Sequence, residues 1–267
     1  MTGGLAGGAD GGARGGPAPA ESLSTGESWA IVLAAGGGTR FGGPKQFADL
    51  AGRPMLEHTV RSASTACDGM VVVLPSAHLE RWTAPAGVVV VTGGATRAQS
   101  VRAGLAAVPA RAAVVVVADA AHPLATPALY RRVVDTVLAG ADAAIPGHRL
   151  SEVVKEITMT ETATTGTVVE AGRSLQRETH RLIQTPHAFA AGWLRDAHAN
   201  ATEAVEDSEM VAAAGARVIV VDGEPANIHV TTREELVLAN LLAPVVLATE
   251  PDGRGANGRR WPIYLDP

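Results

Sequence analysis

Residues 33–47, LAAGGGTRFGGPKQF, combine five glycines with two cations directly after a short apolar run. Glycines let backbone N–H groups approach an anion, and Arg40 and Lys45 supply the charge to hold phosphate oxygens. The stretch is not a P-loop, since Pro44 precedes Lys45 and Gln46 follows it. Phe41 stands at the third glycine position of a dinucleotide-binding motif. The pattern therefore indicates a phosphate-binding loop of another kind, and the alternative is a plain surface turn.

Four further stretches carry residues that could do chemistry. Asp119 ends the run VVVVAD, where it could hold a divalent metal that bridges phosphates or could cap a following helix. In TGGATRAQSV, residues 92–101, the glycines and Ser100 could read the edge of a base, or the segment is an ordinary loop. LIQTPHAF (182–189) and NIHVTTREEL (227–236) complete the set, and the second places His229 just ahead of a helix.

The elements that must position these stretches alternate along the chain. Short runs that are apolar on both faces predict buried strands at 30–33, 70–74, 88–91, 114–117, 143–145 and 218–221. Amphipathic patterns between them predict helices at 54–66, 98–107, 127–138 and 234–242. This alternation indicates an α/β fold with a doubly wound, mostly parallel sheet, in which ligands bind beyond the carboxyl ends of the strands. Residues 150–182 break the pattern and predict a protruding β-hairpin arm.

Composition limits the function classes. Apolar residues make up 46% of the 267, aromatic residues 3%, and the net charge is −5. Mixed charge argues against nucleic acid as a partner, and the single Cys67 excludes an internal disulfide or a cysteine zinc site. No apolar run is long enough to cross a membrane, so we expect a cytoplasmic protein with no membrane partner. Residues 1–27 and 248–267 are expected to be disordered tails around a single domain, 28–247.

Taken together and in this order, five stretches resemble the 2-C-methyl-D-erythritol 4-phosphate cytidylyltransferase family of the nucleotidyltransferase superfamily, over about residues 29–243. They are LAAGGGTRFGGPKQF, GGATRAQSV, DAAHP, the TP pair and NIHVT. The resemblance implies a Rossmann-like nucleotidyltransferase fold and transfer of CMP from CTP to a polyol phosphate, with release of pyrophosphate. It also implies Mg²⁺ or another divalent cation, and a homodimer joined through the arm at 150–182.

The resemblance further implies a role for each matching residue. Arg40 and Lys45 would contact the phosphates, with Lys45 stabilising the transition state, and Asp119 would help to place Mg²⁺. The triphosphate would lie on Gly36, Gly37 and Gly38. The cytosine would lie against Ala34, Ala35, Gly94, Ala95 and Ser100. The acceptor would meet His122, Lys155, Arg177, Thr185 and His229, and Arg177 would serve the site of the partner subunit.

The acceptor half departs from the family pattern. His122 stands where the family has Arg, His229 where it has Lys, His187 where it has Gln, and Val205 where it has Thr. Histidine is mostly neutral at pH 7, so each lost cation should weaken binding of the acceptor phosphate by roughly 1–3 kcal/mol.

Three explanations stay open: methylerythritol phosphate held by retuned contacts, a different phosphate or phosphonate acceptor, or a weakened paralogue that only binds CTP. A metal site formed by the two histidines with Asp119 is a further alternative. His58, His78, His180 and His198 are interpreted as surface or helix-face residues without a chemical role.

Overall fold

The computed structural model describes residues 26–162, 166–200 and 206–248. The predicted tails lie almost entirely outside these residues. Glu27, assigned to the first tail, instead begins the first strand. The strands are β1 (Glu27–Leu33), β2 (Asp49–Leu50), β3 (Arg53–Pro54), β4 (Gly69–Leu74), β5 (Val88–Thr92), β6 (Ala112–Asp119), β7 (Ala143–Arg149), β8 (Lys155–Thr162), β9 (Gly166–Ser174), β10 (Arg181–Ile183), β11 (His187–Ala190) and β12 (Val218–Asp222). The α-helices are α1 (Met55–Ser64), α2 (Arg97–Ala107), α3 (Pro127–Leu138), α4 (Ala191–Asn200), α5 (Asp207–Ala213) and α6 (Arg233–Leu247).

The central sheet is mostly parallel, as predicted. Its order is β10-β7-β11-β6-β1-β4-β5, and β12 also pairs with β7. β1 lies between β6 and β4 and is parallel to both, so the glycine-rich loop that follows it leaves from the middle of the sheet. β11 was not predicted and runs antiparallel between β6 and β7.

Helices cover both faces of the sheet because its strands are apolar on both sides. In β1, Ala30 and Val32 face the core under α1 and α3, whereas Ile31 and Leu33 face the core under α2, α4 and α5. The strand therefore has no solvent face. This rigid base fixes the point at which the glycine-rich loop begins.

A third, smaller core supports that loop from behind. Phe41 of the loop packs with Val230 and with Ala239 and Ala243 on the inner face of α6. Thr232 begins α6 with a capping box, in which its side chain accepts from the Glu235 amide while the Glu235 carboxylate accepts from the Thr232 amide. The loop and the start of α6 are therefore held against each other.

The arm forms as predicted. Within the described residues β8 and β9 pair only with each other, in an antiparallel hairpin, and almost all of their residues are exposed. Ile157 and Met159 of β8 lie opposite Ala171 and Val169 of β9, which gives the hairpin one apolar face. None of the helices in the described ranges is long and apolar enough to span a membrane.

Candidate active site

One cavity of about 390 Å³ lies at the carboxyl edge of the sheet, where the loops after β1, β5 and β6 meet. Eleven of the residues predicted for the site line it: Ala34, Ala35, Gly36, Gly37, Arg40, Lys45, Gly94, Ala95, Ser100, Asp119 and His229. Gln46, Thr96 and Arg97 also line it, although no role was predicted for them. The sequence stretches chosen for their chemistry are therefore brought together in space.

The glycine-rich loop is a closed turn rather than a loose one. The backbone amides of Phe41, Gly42 and Gly43 all donate to the Gly38 carbonyl, at 3.0, 2.9 and 3.1 Å. Gly38 has φ +66°, and a Cβ added there would lie 1.8 Å from the Gly43 carbonyl oxygen. Gly38 is not among the residues that line the cavity. It closes the turn and leaves the exposed backbone of Gly36 and Gly37 facing the cavity.

The Lys45 ammonium group is held by a backbone carbonyl of the segment that precedes α6. Lys45 starts a 3-10 turn over Lys45–Phe47, and its Nζ donates to the Val230 carbonyl at 2.7 Å. Partial burial and the charge of Arg40 lower the pKa of Lys45, although Asp119 and Glu235 oppose the shift. A cation anchored in this way can meet charge that develops on a phosphate without reorganising.

The loop before α2 is shaped by Ser100. Its hydroxyl donates to the Thr96 carbonyl at 3.0 Å and accepts from the Gly94 amide at 3.2 Å, so it holds the loop against the helix. A Cβ on Gly93 would lie 2.4 Å from the Cβ of Ala35. The two glycine-containing loops therefore form adjacent walls of the cavity, and a glycine is needed where they meet.

Asp119 offers a carboxylate at the cavity wall. The guanidinium of Arg97 faces it with 3.8 Å between Nε and Oδ1, which is beyond hydrogen-bond distance and leaves the oxygens available. Mg²⁺ is usually held by one or two carboxylates together with substrate phosphates, so a single carboxylate fits this ion. Among the described residues no group of three or more His, Cys, Asp or Glu could form a protein-only metal site, which argues against the alternative of two histidines with Asp119.

The two predicted acceptor histidines stack. The ring centroids of His122 and His229 are 4.7 Å apart and the planes differ by 10°. Burial lowers the pKa of His122 to about 3, helped by His229, His187 and Lys45. Burial and then Lys45 lower the pKa of His229. Both rings are therefore neutral at pH 7 and contribute as hydrogen-bonding groups rather than as cations.

Thr185 ties this pair to Asp119. Its hydroxyl accepts from the Asp119 amide at 3.1 Å and shares a hydrogen bond with Nδ1 of His122, also 3.1 Å. Thr185 is buried and precedes Pro186 through a cis peptide bond. His229, His122, Thr185 and the backbone of Asp119 are thus linked by ring stacking and hydrogen bonds.

Of the residues predicted to bind the acceptor, only His229 lines the cavity, while His122 and Thr185 are buried and do not line it. Lys155 and Arg177 are exposed at the base of the arm and do not line the cavity, and their roles stay predictions. Lys155 donates to the Gly172 carbonyl and Arg177 to the Ser151 carbonyl. Val205 lies outside the described residues.

Several buried polar contacts beside the cavity were missed. His198, expected to be without a role, is buried on α4 and binds Asp207 with 2.9 Å between Nε2 and Oδ1. Asp207 also accepts from Arg97. His187 lies 3.0 Å from Glu206. Burial alone would raise the pKa of Glu206, but His187, Ser208 and Arg97 together outweigh it and lower the pKa. The sequence around Asp207 gives no indication that its carboxylate binds Arg97, which lies 110 residues earlier in the chain.

Transfer of a nucleotidyl group between phosphates needs positioning and neutralisation of charge more than a protein nucleophile. A parallel sheet with this loop, an anchored lysine and an available carboxylate around one cavity supplies both. Fold and site define a nucleotidyltransferase.

Comparison with known proteins makes the assignment narrower. The family model for 2-C-methyl-D-erythritol 4-phosphate cytidylyltransferase matches residues 29–243, and the chain belongs to this family. The family member of Rhodococcus jostii (strain RHA1) is 40% identical over 80% of this chain and 93% of its own length. The family member of Streptomyces coelicolor is 38% identical over 79% of this chain and 82% of its own length. The crystal structure of the Thermus thermophilus member, 31% identical, superposes with TM-score 0.65 over 80% of this chain and 98% of that one.

Proposed function

We propose that this enzyme transfers CMP from CTP to 2-C-methyl-D-erythritol 4-phosphate and releases pyrophosphate. An oxygen of the acceptor phosphate forms a bond to the α-phosphorus of CTP. The bond from that phosphorus to the oxygen bridging to the β-phosphate breaks, and pyrophosphate leaves with the electron pair. The observation that carries the proposal is the cavity itself, in which the glycine-rich loop, Lys45 and Asp119 converge in a chain of this family.

The residues that line the cavity support an assignment of where each part of the nucleotide binds. Exposed backbone at Gly36 and Gly37 faces the triphosphate, with Arg40 beside it. Ala34, Ala35, Gly94 and Ala95 form the walls that receive the cytosine. Lys45, held by the Val230 carbonyl, neutralises charge at the α-phosphate in the transition state. Ser100 acts through the loop that it shapes.

A divalent cation completes the charge balance. Mg²⁺ supplies Lewis-acid stabilisation of the triphosphate when it is bound. Asp119 would hold it, since this carboxylate faces the cavity and Arg97 stays beyond hydrogen-bond distance of it. Lys45 and Arg40 neutralise the remaining negative charge of the phosphates.

We assign the acceptor end to His229, which lines the cavity, and to the buried His122 and Thr185 that are linked to it. Two neutral imidazoles bind phosphate through N–H donors, more weakly than the cations that the family pattern has at these positions. Because Lys45 lines the same cavity as His229, it can supply the charge for the acceptor phosphate as well. Methylerythritol phosphate therefore remains the default acceptor.

A homodimer joined through the arm accounts for Lys155 and Arg177. Both are exposed and outside the cavity of their own chain, as expected if Arg177 serves the site of a partner subunit. The apolar face formed by Ile157 and Met159 is the surface that a second copy would cover. CTP is a cytoplasmic metabolite, and we assign the enzyme to that compartment.

The test is a screen for pyrophosphate release. CTP, UTP and GTP are each combined with methylerythritol phosphate and with a panel of other polyol phosphates and phosphonates, in the presence of Mg²⁺. Release with CTP and methylerythritol phosphate supports the proposal. Release only with another acceptor would replace the acceptor, and tight CTP binding without release from any pair would favour a paralogue that binds CTP without catalysis.

A further inference from the structure

Behind the cavity, three elements meet at a buried ion-pair cluster. The Asp207 side chain on α5 is 1% exposed, and that of His198 on α4 is 3% exposed. The two are joined at 2.9 Å, and Nη1 of Arg97, the first residue of α2, donates to the other oxygen of Asp207. Both oxygens of a buried carboxylate are thereby occupied, and one of the two partners reaches the cavity.

Arg97 extends from this cluster to the cavity wall. Its side chain is 30% exposed and lines the cavity, and its Nε lies 3.8 Å from Oδ1 of Asp119. One guanidinium therefore faces a buried carboxylate on one side and the candidate metal ligand on the other. Burial alone would lower the pKa of Arg97, but Asp119 and Asp207 together outweigh it and raise the pKa.

We infer that Arg97 is a positioning residue that holds the Asp119 carboxylate toward the cavity, and that Asp207 anchors Arg97 in the orientation this requires. The inference deepens the proposed function and rests on it, because it gives Asp119 its place in that reaction.

The contact with Asp207 keeps Arg97 from binding the substrate phosphates instead of facing Asp119. An unanchored arginine on the wall of a cavity that receives a triphosphate would turn toward the phosphates, since guanidinium–phosphate pairs are strong and bidentate. Asp207 keeps one edge of the guanidinium occupied. The 3.8 Å separation leaves the Asp119 oxygens free of a direct hydrogen bond from Arg97, so the arginine orients the carboxylate by charge and does not block it.

The experiment is a pair of double-mutant cycles. Arg97→Lys keeps the charge but cannot face both carboxylates, and Asp207→Asn leaves Arg97 intact without its charged anchor. Each is made in the wild-type and in the Asp119→Asn background. Arg102→Lys, on the same helix and outside the cavity lining, is the matched control. The affinity for CTP with Mg²⁺ is measured by calorimetry, and kcat/KM is measured with methylerythritol phosphate.

Removal of a residue that orients a metal ligand typically costs 10- to 100-fold in metal affinity or activity. We expect Arg97→Lys and Asp207→Asn to lower both quantities about tenfold in the wild-type background and at most twofold in the Asp119→Asn background, while Arg102→Lys changes neither. A merely structural role would lower the Tm and leave both quantities unchanged in the folded protein, or lower them equally in both backgrounds. Either result overturns the inference.

The binding cycle does not need turnover. If the wild-type protein binds CTP but releases no pyrophosphate, the proposed function fails, and the binding cycle still decides whether Arg97 acts through Asp119. If Arg97→Lys does not fold, the Asp207→Asn cycle gives the decision alone.

Discussion

His122, which is buried, stacks on His229, which lines the cavity, with 4.7 Å between ring centroids. Both rings are neutral at pH 7, because burial first and then neighbouring charged groups lower their pKa values. In the proposed function, the acceptor phosphate meets a neutral hydrogen-bonding group, His229, where the family pattern has a lysine. Lys45 and Arg40 are cations that line the same cavity as His229.

His229→Lys should lower KM for methylerythritol phosphate about tenfold, because it replaces a neutral donor by a charge-assisted one. Steady-state kinetics at saturating CTP give the value. Ala139→Lys, at an exposed position that follows α3 and lies outside the arm and the cavity lining, is the control for added charge. An unchanged or raised KM would show that the stacked rings do not contact the acceptor phosphate.

Gly38→Ala should weaken CTP binding at least tenfold and lower the Tm. The residue has φ +66°, and a new Cβ would lie 1.8 Å from the Gly43 carbonyl oxygen, so the turn behind the phosphate site must open. Gly192→Ala, which meets no atom within 4 Å, is the control. Calorimetry and thermal unfolding test both parts, and normal CTP affinity in Gly38→Ala would mean that the turn does not shape the site.

Asp207→Asn should make the free energy of unfolding less dependent on pH in acid. Burial alone would raise the pKa of Asp207, but the hydrogen bond from His198 and the charge of Arg97 outweigh it and lower the pKa. A lowered pKa gives stability that is present above the unfolded pKa of about 3.9 and is lost as the pH falls through the folded value.

Removal of one charge from this buried cluster should cost about 3 kcal/mol at pH 7. Urea unfolding at pH 7, 5, 4 and 3 should therefore show the difference between wild type and Asp207→Asn shrinking below pH 4. A difference that stays constant down to pH 3 would contradict the ion pair.

Met159→Glu should convert a dimer into monomers and reduce turnover of the acceptor. Met159 is 67% exposed on the apolar face of the arm, so a charge there would be buried on association. Thr160→Glu, on the opposite face of the same strand and opposite Val168, should leave the assembly unchanged. Sedimentation at micromolar concentration decides, and a monomeric wild-type protein would remove the dimer from the account.

Local patterns predicted much of the fold. The helix expected at 127–138 has those bounds in the structure because Thr126 caps it, Pro127 starts it, and apolar residues repeat along one face. The strands at β1, β4 and β6 were evident because burial on both faces demands unbroken apolar runs. β11 was missed, since HAFA is short and its place between β6 and β7 depends on tertiary pairing.

The site was predictable only in part. Glycines and charges after strand ends identified the cavity because parallel strands bring their carboxyl ends to one edge. The contact between Lys45 and Val230 and the link from Arg97 to Asp207 join residues 185 and 110 positions apart, and no local spacing encodes them. In the sequence, Arg97 is an ordinary residue at the start of a predicted helix. Its contact with Asp207 is evident only once the fold brings the two residues together.

Lys45 should promote transfer of CMP from CTP to methylerythritol phosphate, and the product formed with and without its ammonium group tests this most directly. ³¹P nuclear magnetic resonance of the wild-type protein with both substrates and Mg²⁺ should show the two coupled resonances of a new diphosphate diester together with pyrophosphate. Lys45→Ala, with unchanged circular dichroism, should form no detectable product. No product from the wild type, or wild-type turnover by Lys45→Ala, would contradict the account.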